Sequence, residues 1–394
     1  MTFDQDLLHK LSSVDRRSFL RAGFRAAGFA LAAQSSPLRT LAQTAARKFA
    51  PVRVSRARVI REIVGLRPFR PEGFVVQAER VGNKLLIHNY GHGGAGITLS
   101  WGTAALAVDL LKDFPLPAPA RGRNARPTQR RFAVIGCGVN GLSTARMLQR
   151  RYQDGPGTVT IYARDLPPDT TSNIAAGYWS PVSLYDDDAI TPKWREQYRA
   201  AARISNRAYQ LLVGPEYGVR WLDIFTFHRD EASIGSLAGG SDLYPNQMIH
   251  RDPANYFGVP IVRQFSSMII EPPVYLRSLL RDFYNAGGRL VVKEFKSREE
   301  VMHLTEPVIF NCSGLGARAL FGDEKLIPAR GQLEVLLPQP EIDYAYIGPG
   351  HMFPRSDGIL LGGTFDRDDW SLDVNPEHRD YILNTHTEIM KGLR

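Results

Sequence analysis

The chain has 394 residues, 43% hydrophobic and 23% charged, with a formal net charge of +9. That balance excludes a disordered or fibrous protein and supplies apolar material for two domains sharing one interface. Residues 1–50 hold eight Lys or Arg against three Asp, or +5, so the remainder carries only +4 and no nucleic-acid partner is expected. The two cysteines, Cys137 and Cys312, are not in paired spacing, which argues against a disulfide framework. With no Cys-x-x-Cys pair, His-x-Glu-x-x-His element or acidic calcium loop, no metal is expected and organic cofactor chemistry is favoured.

In chain order, Asp15-Arg16-Arg17-Ser18-Phe19-Leu20-Arg21 stands before an Ala-rich, weakly hydrophobic stretch, Ala22 to Ala33, interrupted by Arg25. This reads as a twin-arginine export signal, so the export machinery is an expected partner and the periplasm the expected location. The stretch is far shorter than the roughly 20 apolar residues of a membrane span, and no stable span is expected.

Past the leader come Val59 to Gly73 and then Leu85 to Trp101, the latter containing a Gly cluster, Gly91-His92-Gly93-Gly94-Ala95-Gly96, ahead of a predicted helix over 102–112. A Gly-rich turn opening a helix is an anion-binding arrangement. The Pro-, Ala- and Arg-rich stretch from Phe114 to Arg131 lacks apolar periodicity and reads as a linker.

Then Phe132 to Ile135 reads as a buried strand, followed by Gly136-Cys137-Gly138-Val139-Asn140-Gly141 and a helix from Leu142 to Arg151. In G-x-G-x-x-G the first Gly makes the tight turn, the second admits a pyrophosphate, and the third lets helix and strand pack closely. A second strand, Thr158 to Tyr162, ends at Ala163-Arg164-Asp165, where an acidic ribose ligand is expected. An Arg there equally suits a 2′-phosphate, so the motif alone leaves NADP open.

The next segment, Asp169-Thr170-Thr171-Ser172-Asn173-Ile174-Ala175-Ala176-Gly177-Tyr178-Trp179-Ser180-Pro181, resembles the D-amino-acid oxidase and D-aspartate oxidase family. Similar elements are Asn311-Cys312-Ser313-Gly314-Leu315-Gly316, Ala329-Arg330-Gly331-Gln332 and Leu360-Leu361-Gly362-Gly363-Thr364, and the resemblance spans roughly 52–112 and 132–394. It implies an α/β fold with a Rossmann-like FAD-binding domain and an antiparallel-sheet substrate domain. Thr170, Thr171, Ser172, Gly177, Tyr178 and Ser313 are implied at the FAD, and Ser180 toward the substrate. Gly93, Gly94, Ala95, Gly96, Ile97 and Thr98 are implied against the flavin, with the Gly94 carbonyl taking the substrate amine.

In that family Gly-Leu-Arg-Pro-x-Arg-Pro and Tyr-Gly-His-Gly come last, whereas here they come first, with one complete set of elements in rotated order. The resemblance therefore implies a circular permutant, with residues near 52–58 beside the C-terminus. The expected organisation is a leader (1–50), a segment completing the FAD domain and carrying the substrate arginine (51–112), and a linker (113–130). The FAD-binding domain (131–180), a mainly substrate-domain stretch (181–290), a return to the FAD domain (291–329), and substrate-domain strands with a C-terminal helix (330–394) follow.

The resemblance assigns Arg70, second in the Arg-Pro-x-Arg-Pro element, to the substrate carboxylate, a role suited to a planar guanidinium. It implies hydride transfer from a neutral D-amino acid with no side-chain base, so His92 is not given that role. The products are a 2-oxo acid, ammonia and, with oxygen as acceptor, hydrogen peroxide. Val182 stands where the aspartate branch carries His, and Pro260 to Val262 lack the active-site Tyr of the neutral-substrate branch, with Tyr244, Tyr256 or Arg263 as replacements. A dehydrogenase using another acceptor, a non-catalytic FAD- or D-amino-acid-binding protein, and an NADP-dependent reductase are the competing readings. Asp186-Asp187-Asp188 is read as a solvated loop.

Overall fold

The apolar runs of the sequence become strands of two sheets in a computed structural model that describes residues 48–114, 130–152, 158–252 and 256–393. The expected export leader, save its last residues, and most of the expected linker lie outside the described residues.

The smaller sheet has six strands. Val75–Val81 (β2) and Lys84–Tyr90 (β3) form a hairpin at one edge, and Val308–Asn311 (β10), Phe132–Ile135 (β4), Val159–Ala163 (β5) and Arg289–Val292 (β9) continue from β3 in that order. From β3 to β9 every neighbouring pair is parallel. β4 and β10 are buried at every position, as unbroken apolar runs covered on both faces require.

Helices flank this sheet. Gly96–Asp109 (α1) follows β3, and Val139–Arg151 (α2) follows β4. Pro192–Gln210 (α4) starts at Pro192, with Thr191 Oγ1 capping the Trp194 amide at 3.1 Å, and comes after the short turn Thr171–Ile174 (α3). The run Gly93–Asp113 has the length and apolar character of a membrane span, but most of it is buried inside the protein. Gly102 lets α1 meet α4 closely, since a Cβ there would lie 2.0 Å from the Ala201 carbonyl oxygen. Trp101, 1% exposed, contributes about 2–3 kcal/mol through burial of its ring.

The larger sheet has nine strands. Val59–Phe69 (β1) lies at its edge beside Ile327–Leu336 (β11), then come Gly358–Gly362 (β14), His351–Arg355 (β13), Tyr344–Ile347 (β12), Val219–His228 (β6), Ile261–Ile270 (β8) and Met248–Arg251 (β7), with Asp366–Arg367 (β15) also on β11. Its pairs are antiparallel except β12 with β6. Segment 51–112 thus divides: β2, β3 and α1 belong to the smaller sheet, while β1 joins the larger one.

One face of the larger sheet packs toward the parallel sheet through Ile224, Phe265 and Phe353. Its other face forms a second core with Phe225, Tyr344, Tyr346 and Met352 under the C-terminal helix Pro376–Lys391, whose first amides are capped by Asn375 Oδ1. Phe49 and Val52 enter this second core, and the Val52 amide donates to Met390 Sδ at 3.2 Å. The start of the described chain therefore packs on the C-terminal helix.

Candidate functional site: a glycine-loop crevice facing an arginine-bearing sheet

Three adjacent parallel strands, β3, β10 and β4, end at the same edge of the smaller sheet, and each runs into a glycine-bearing loop. These loops are Gly91 to Gly96, Ser313 to Gly316 and Gly136 to Gly141. The carboxyl edge of a parallel sheet is where open α/β folds place their ligands. Gly136 has φ +105° and lies against the next loop, so a Cβ there would meet the Cys312 carbonyl oxygen at 2.5 Å. At Gly141 a Cβ would fall 2.0 Å from the Gly136 oxygen, so α2 closes directly onto β4.

Two of these loops are locked together by His92. The Asn140 amide can only donate at Nδ2, so it fixes His92 Nδ1 as acceptor at 3.0 Å, and Nε2 donates to Thr103 Oγ1 at 3.0 Å. Burial pushes the His92 pKa down to about 3, which makes it a neutral structural link rather than a base. Burial likewise pushes both thiols, Cys137 and Cys312, up to about 12.

The residues expected at a dinucleotide surround this crevice. Gly138 precedes α2 and has no side chain to cap it; instead the Val139 amide donates to Ser172 Oγ at 3.0 Å, bringing the Thr-Thr-Ser turn over the helix start. Thr170 Oγ1 donates to Asn173 Oδ1, and Ser313 Oγ to Asn311 Oδ1. Thr171 opens the short turn α3. At the end of β5, Asp165 is held by the Arg164 guanidinium, which also lies 3.6 Å from Glu294. Asn140 Oδ1 is buried without a partner at the mouth of this loop. A tight glycine turn opening directly into a helix whose N-cap residue has no side chain fits a dinucleotide pyrophosphate.

The second glycine cluster is more enclosed. The Gly94 amide donates to the Ser183 carbonyl at 2.7 Å, and a Cβ on Gly93, at φ +51°, would lie 2.4 Å from the same oxygen. Ala95 is fully buried, Gly96 opens α1, the Ile97 carbonyl accepts from Tyr209 Oη, and Thr98 Oγ1 donates to the Ser180 carbonyl.

Segment 177–180 runs between the two sheets, bonded to the end of β8 through the Trp179 amide and the Gly177 carbonyl. The Tyr178 ring stacks on Phe353 at 5.3 Å, and Ser180 Oγ shares a 3.2 Å bond with Tyr244 Oη. Tyr256 instead packs on Phe49 at 4.8 Å in the second core, away from this crevice.

The facing sheet supplies the cations. Cross-strand partners project to the same face, and so do residues two apart along a strand. The pairs Arg67–Ala329, Leu333–Gly362, Gly362–His351, His351–Ile347, Ile347–Thr226 and Thr226–Arg263 therefore put Arg67, His351 and Arg263 on one face. Phe353 and Phe265, two residues further along β13 and β8, show that this is the face turned to the smaller sheet.

Arg70 lies just past β1 and is already engaged: its Nε donates to Asp323 Oδ2 at 3.0 Å, and Nη2 lies 2.8 Å from Glu72. Tyr90 Oη donates to the same Asp323 oxygen at 2.8 Å. Arg67 has no such partner. Its Nη1 donates only to the Ala329 and Arg330 carbonyls, and among the described residues no carboxylate lies within ion-pair distance of it. Burial lowers its pKa, with Asp366 pulling the other way. A Cβ at Gly331 would lie 2.3 Å from its guanidinium, so the glycine makes room for it. Burial, Arg67 and His386 together push His351 down to about 3, so it too is neutral. Along β1, Gly65, Arg67 and Phe69 share a face that Arg70, beyond the strand, does not extend.

Asp186 pairs with Arg367 at 2.6 Å and Asp187 lies 3.5 Å from Arg195, so the acidic triplet is split between two arginines. A solvent-facing hollow of about 740 Å³ lined by Trp221, Asp223, Gln339 and Ser356 contains none of the glycine-loop residues.

The sequence model of the family described as DAO, FAD dependent oxidoreductase, matches residues 11–110 and 131–394. The chain is 30% identical over 273 residues to a D-amino acid oxidase of Dugesia ryukyuensis, covering 66% of this chain and 78% of that protein. It is 31% identical over 260 residues to a human D-aspartate oxidase, covering 64% and 74%. A glycine oxidase structure from Geobacillus kaustophilus, 16% identical, superposes with a TM-score of 0.50 over 68% of this chain and 80% of that one, a likeness of fold. The chain thus belongs to the DAO family of FAD-dependent oxidoreductases.

Proposed function

We propose that this enzyme oxidatively deaminates D-amino acids, with Arg67 rather than Arg70 holding the substrate carboxylate. The observation that carries the reading is a guanidinium without a carboxylate partner, on the sheet face that looks onto the glycine loops. A cation so placed is costly unless an anion joins it. Arg70, neutralised by Asp323 and Glu72, offers nothing comparable. The named activities of the Dugesia ryukyuensis and human relatives support the same substrate class.

Bound FAD supplies the two-electron sink. The protein's part is position: a forked, fixed carboxylate grip sets which Cα bond points at the crevice. Neutral His351 beside Arg67 adds no competing positive charge and can bond the carboxylate. His92 is buried, neutral and doubly bonded and so is not poised as a base; the substrate amine enters unprotonated and its lone pair forms the C=N bond as Cα–H leaves with its electron pair. Water then converts the imino acid to a 2-oxo acid and ammonia, and oxygen as final acceptor yields hydrogen peroxide.

The test is anaerobic mixing of the purified chain with D- and L-amino acids while the flavin absorbance is followed. Bleaching by D-isomers alone, with peroxide on readmission of air, is the expected result; a yellow protein that no D-amino acid bleaches overturns it.

We also infer that the chain is a circular permutant and is exported by the twin-arginine route. Rotation is supported by β3, encoded before β4, lying beyond β10 in the same parallel sheet, and by Val52 packing on Met390. Export is supported by Arg16-Arg17-Ser18-Phe19-Leu20 before an Ala-rich run. Replacing both arginines by Lys should hold the protein in the cytoplasm, and unchanged export would refute that route.

A further inference from the structure

Helix α2 runs from the glycine loop at Gly138 back toward the amino ends of β4 and β5, and its last turns line a hollow there. This hollow, of about 520 Å³, lies between α2, the start of β5 at Thr158 and Val159, and the end of the helix Pro272–Asn285. Arg146 and Arg150 line it, four residues apart and so on one face of α2. None of the lining residues belongs to the glycine loops, which sit at the opposite, carboxyl edge of the strands.

Among the described residues no carboxylate lies within ion-pair distance of either arginine. Arg146 Nη1 donates to Gln149 Oε1 at 2.6 Å, Gln149 Nε2 donates in turn to the Phe283 carbonyl at 2.9 Å, and Arg146 Nε is buried without a partner. Burial and then the positive charge of Arg150 lower the Arg146 pKa. Asp282, which acts against that shift, is taken by the Tyr217 hydroxyl at 2.7 Å and by Arg281 at 3.1 Å. Arg150 is exposed and lays its guanidinium on the Trp101 ring, 4.7 Å from the centroid. A stacked guanidinium uses its face, which leaves its N–H edge to an anion.

A helix C-terminus attracts cations through its dipole, which accounts for Arg151, paired with Asp109, and would account for an isolated Arg150. It does not account for Arg146, held against a like charge with a buried N–H unmatched. Two guanidiniums facing one hollow suit an anion with more oxygens and more charge than a carboxylate, which a single fork satisfies. A phosphate ester offers three acceptor oxygens and up to two charges. The volume is that of a small-molecule site, and Tyr152 and Tyr284 give it aromatic walls.

We propose that this hollow binds the phosphate of a phosphorylated small molecule, held by Arg146 and Arg150, at a site separate from both flavin and substrate. The proposal stands independently of the reaction the chain catalyses.

The test is isothermal titration calorimetry of the full, FAD-loaded chain at low salt with inorganic phosphate, pyrophosphate and ribose 5-phosphate, and with ribose as the uncharged control. The phosphorylated probes should bind and ribose should not. Arg150→Gln should weaken that binding about tenfold or more, the usual worth of hydrogen bonds to a charged group, with the flavin spectrum unchanged. Arg150→Lys should recover part of the loss, and Arg146→Gln should weaken binding as Arg150→Gln does. Sedimentation with phosphatidate against phosphatidylcholine vesicles separates the sources of the phosphate. Capture by phosphatidate alone, lost in Arg150→Gln, places it on a lipid head group, whereas binding of ribose 5-phosphate places it on a soluble compound.

Failure of every phosphate-bearing probe to bind the wild type, or binding that survives both glutamine substitutions at full strength, overturns the assignment and leaves the arginines as dipole partners of α2. The wild-type titrations and the exposed Arg150→Gln change decide the matter even if Arg146→Gln fails to fold.

Discussion

Asn140 Nδ2 lies 3.0 Å from His92 Nδ1, a bond that ties the glycine loop before α2 to the glycine loop before α1. The bond requires an unprotonated Nδ1, and burial holds the His92 pKa near 3, against an ordinary value of 6.5. A histidine with a depressed folded pKa contributes stability that is complete above 6.5 and is lost as pH falls from there toward 3. The fully buried ring makes this contribution on the order of 3–5 kcal/mol at neutral pH. The melting temperature should therefore fall steadily below pH 6.5, and His92→Gln, which cannot be protonated, should flatten that decline while lowering stability at pH 7. Parallel pH–melting curves for wild type and variant would count against this role.

The two arginines of the Arg-Pro-x-Arg-Pro element should fail in different ways. Arg67→Ala removes a cation whose side chain bonds only backbone carbonyls, so it should lower kcat/KM by about 2–5 kcal/mol in transition-state terms with little change in melting temperature. Arg70→Ala strands Asp323, which is 11% exposed, and should destabilise the fold by about 3 kcal/mol while KM stays near the wild-type value. Steady-state kinetics and thermal melts on both variants separate the roles, and the reverse pattern would return the substrate to Arg70.

Much of this arrangement is legible in the residues. The strand–glycine loop–helix from Phe132 onward declares itself through four consecutive buried positions and three glycines at fixed spacing. Segment 85–112 is likewise marked by an apolar run ending in a glycine cluster. The less visible part is what depends on register between distant strands. Arg67 and Arg70 are chemically alike and three residues apart, and only pairing with β11 shows that one projects over Gly331 while the other meets Asp323, 253 residues away. His351 and Arg263 join the same face through the pairing of β14, β13, β12, β6 and β8, which no local pattern encodes. The placement of β1 in the larger sheet has the same cause: its eleven residues read as a strand from either side, and pairing decides which sheet it joins.

Gly141 gives a sharp test of the nucleotide loop. A methyl group there would lie 2.0 Å from the Gly136 carbonyl oxygen, and backbone cannot yield as a flexible side chain does. Gly141→Ala should push α2 away from β4, cost about 1–3 kcal/mol by overpacking, and leave the purified protein largely colourless. Gly82→Ala, at a hairpin glycine with open space around it but φ +60°, should cost only about 1 kcal/mol and keep its flavin. Equal flavin loss in both variants would mean that general instability, rather than the closeness of helix and strand, governs cofactor retention.

The proposed rotation makes a prediction about chain order. The Val52 amide reaches Met390 Sδ at 3.2 Å and Tyr344 Oη donates to the Ala50 carbonyl at 2.8 Å, so residue 393 can be joined to residue 48 by a short flexible linker without moving either. Opening the chain between 114 and 131 then yields a protein that starts at β4, with its G-x-G-x-x-G loop, and ends after α1. Closing a short loop costs little, about 0.6 kcal/mol per doubling of its length, and every sheet pairing is retained. The re-ordered chain should therefore be soluble and yellow, melt within a few degrees of the original by the usual relation between stability and melting temperature, and bleach with the same D-amino acids. An insoluble or flavin-free product, alongside a parent chain that binds flavin, would show that the existing order is required for assembly rather than one of two equivalent cuts in the same fold.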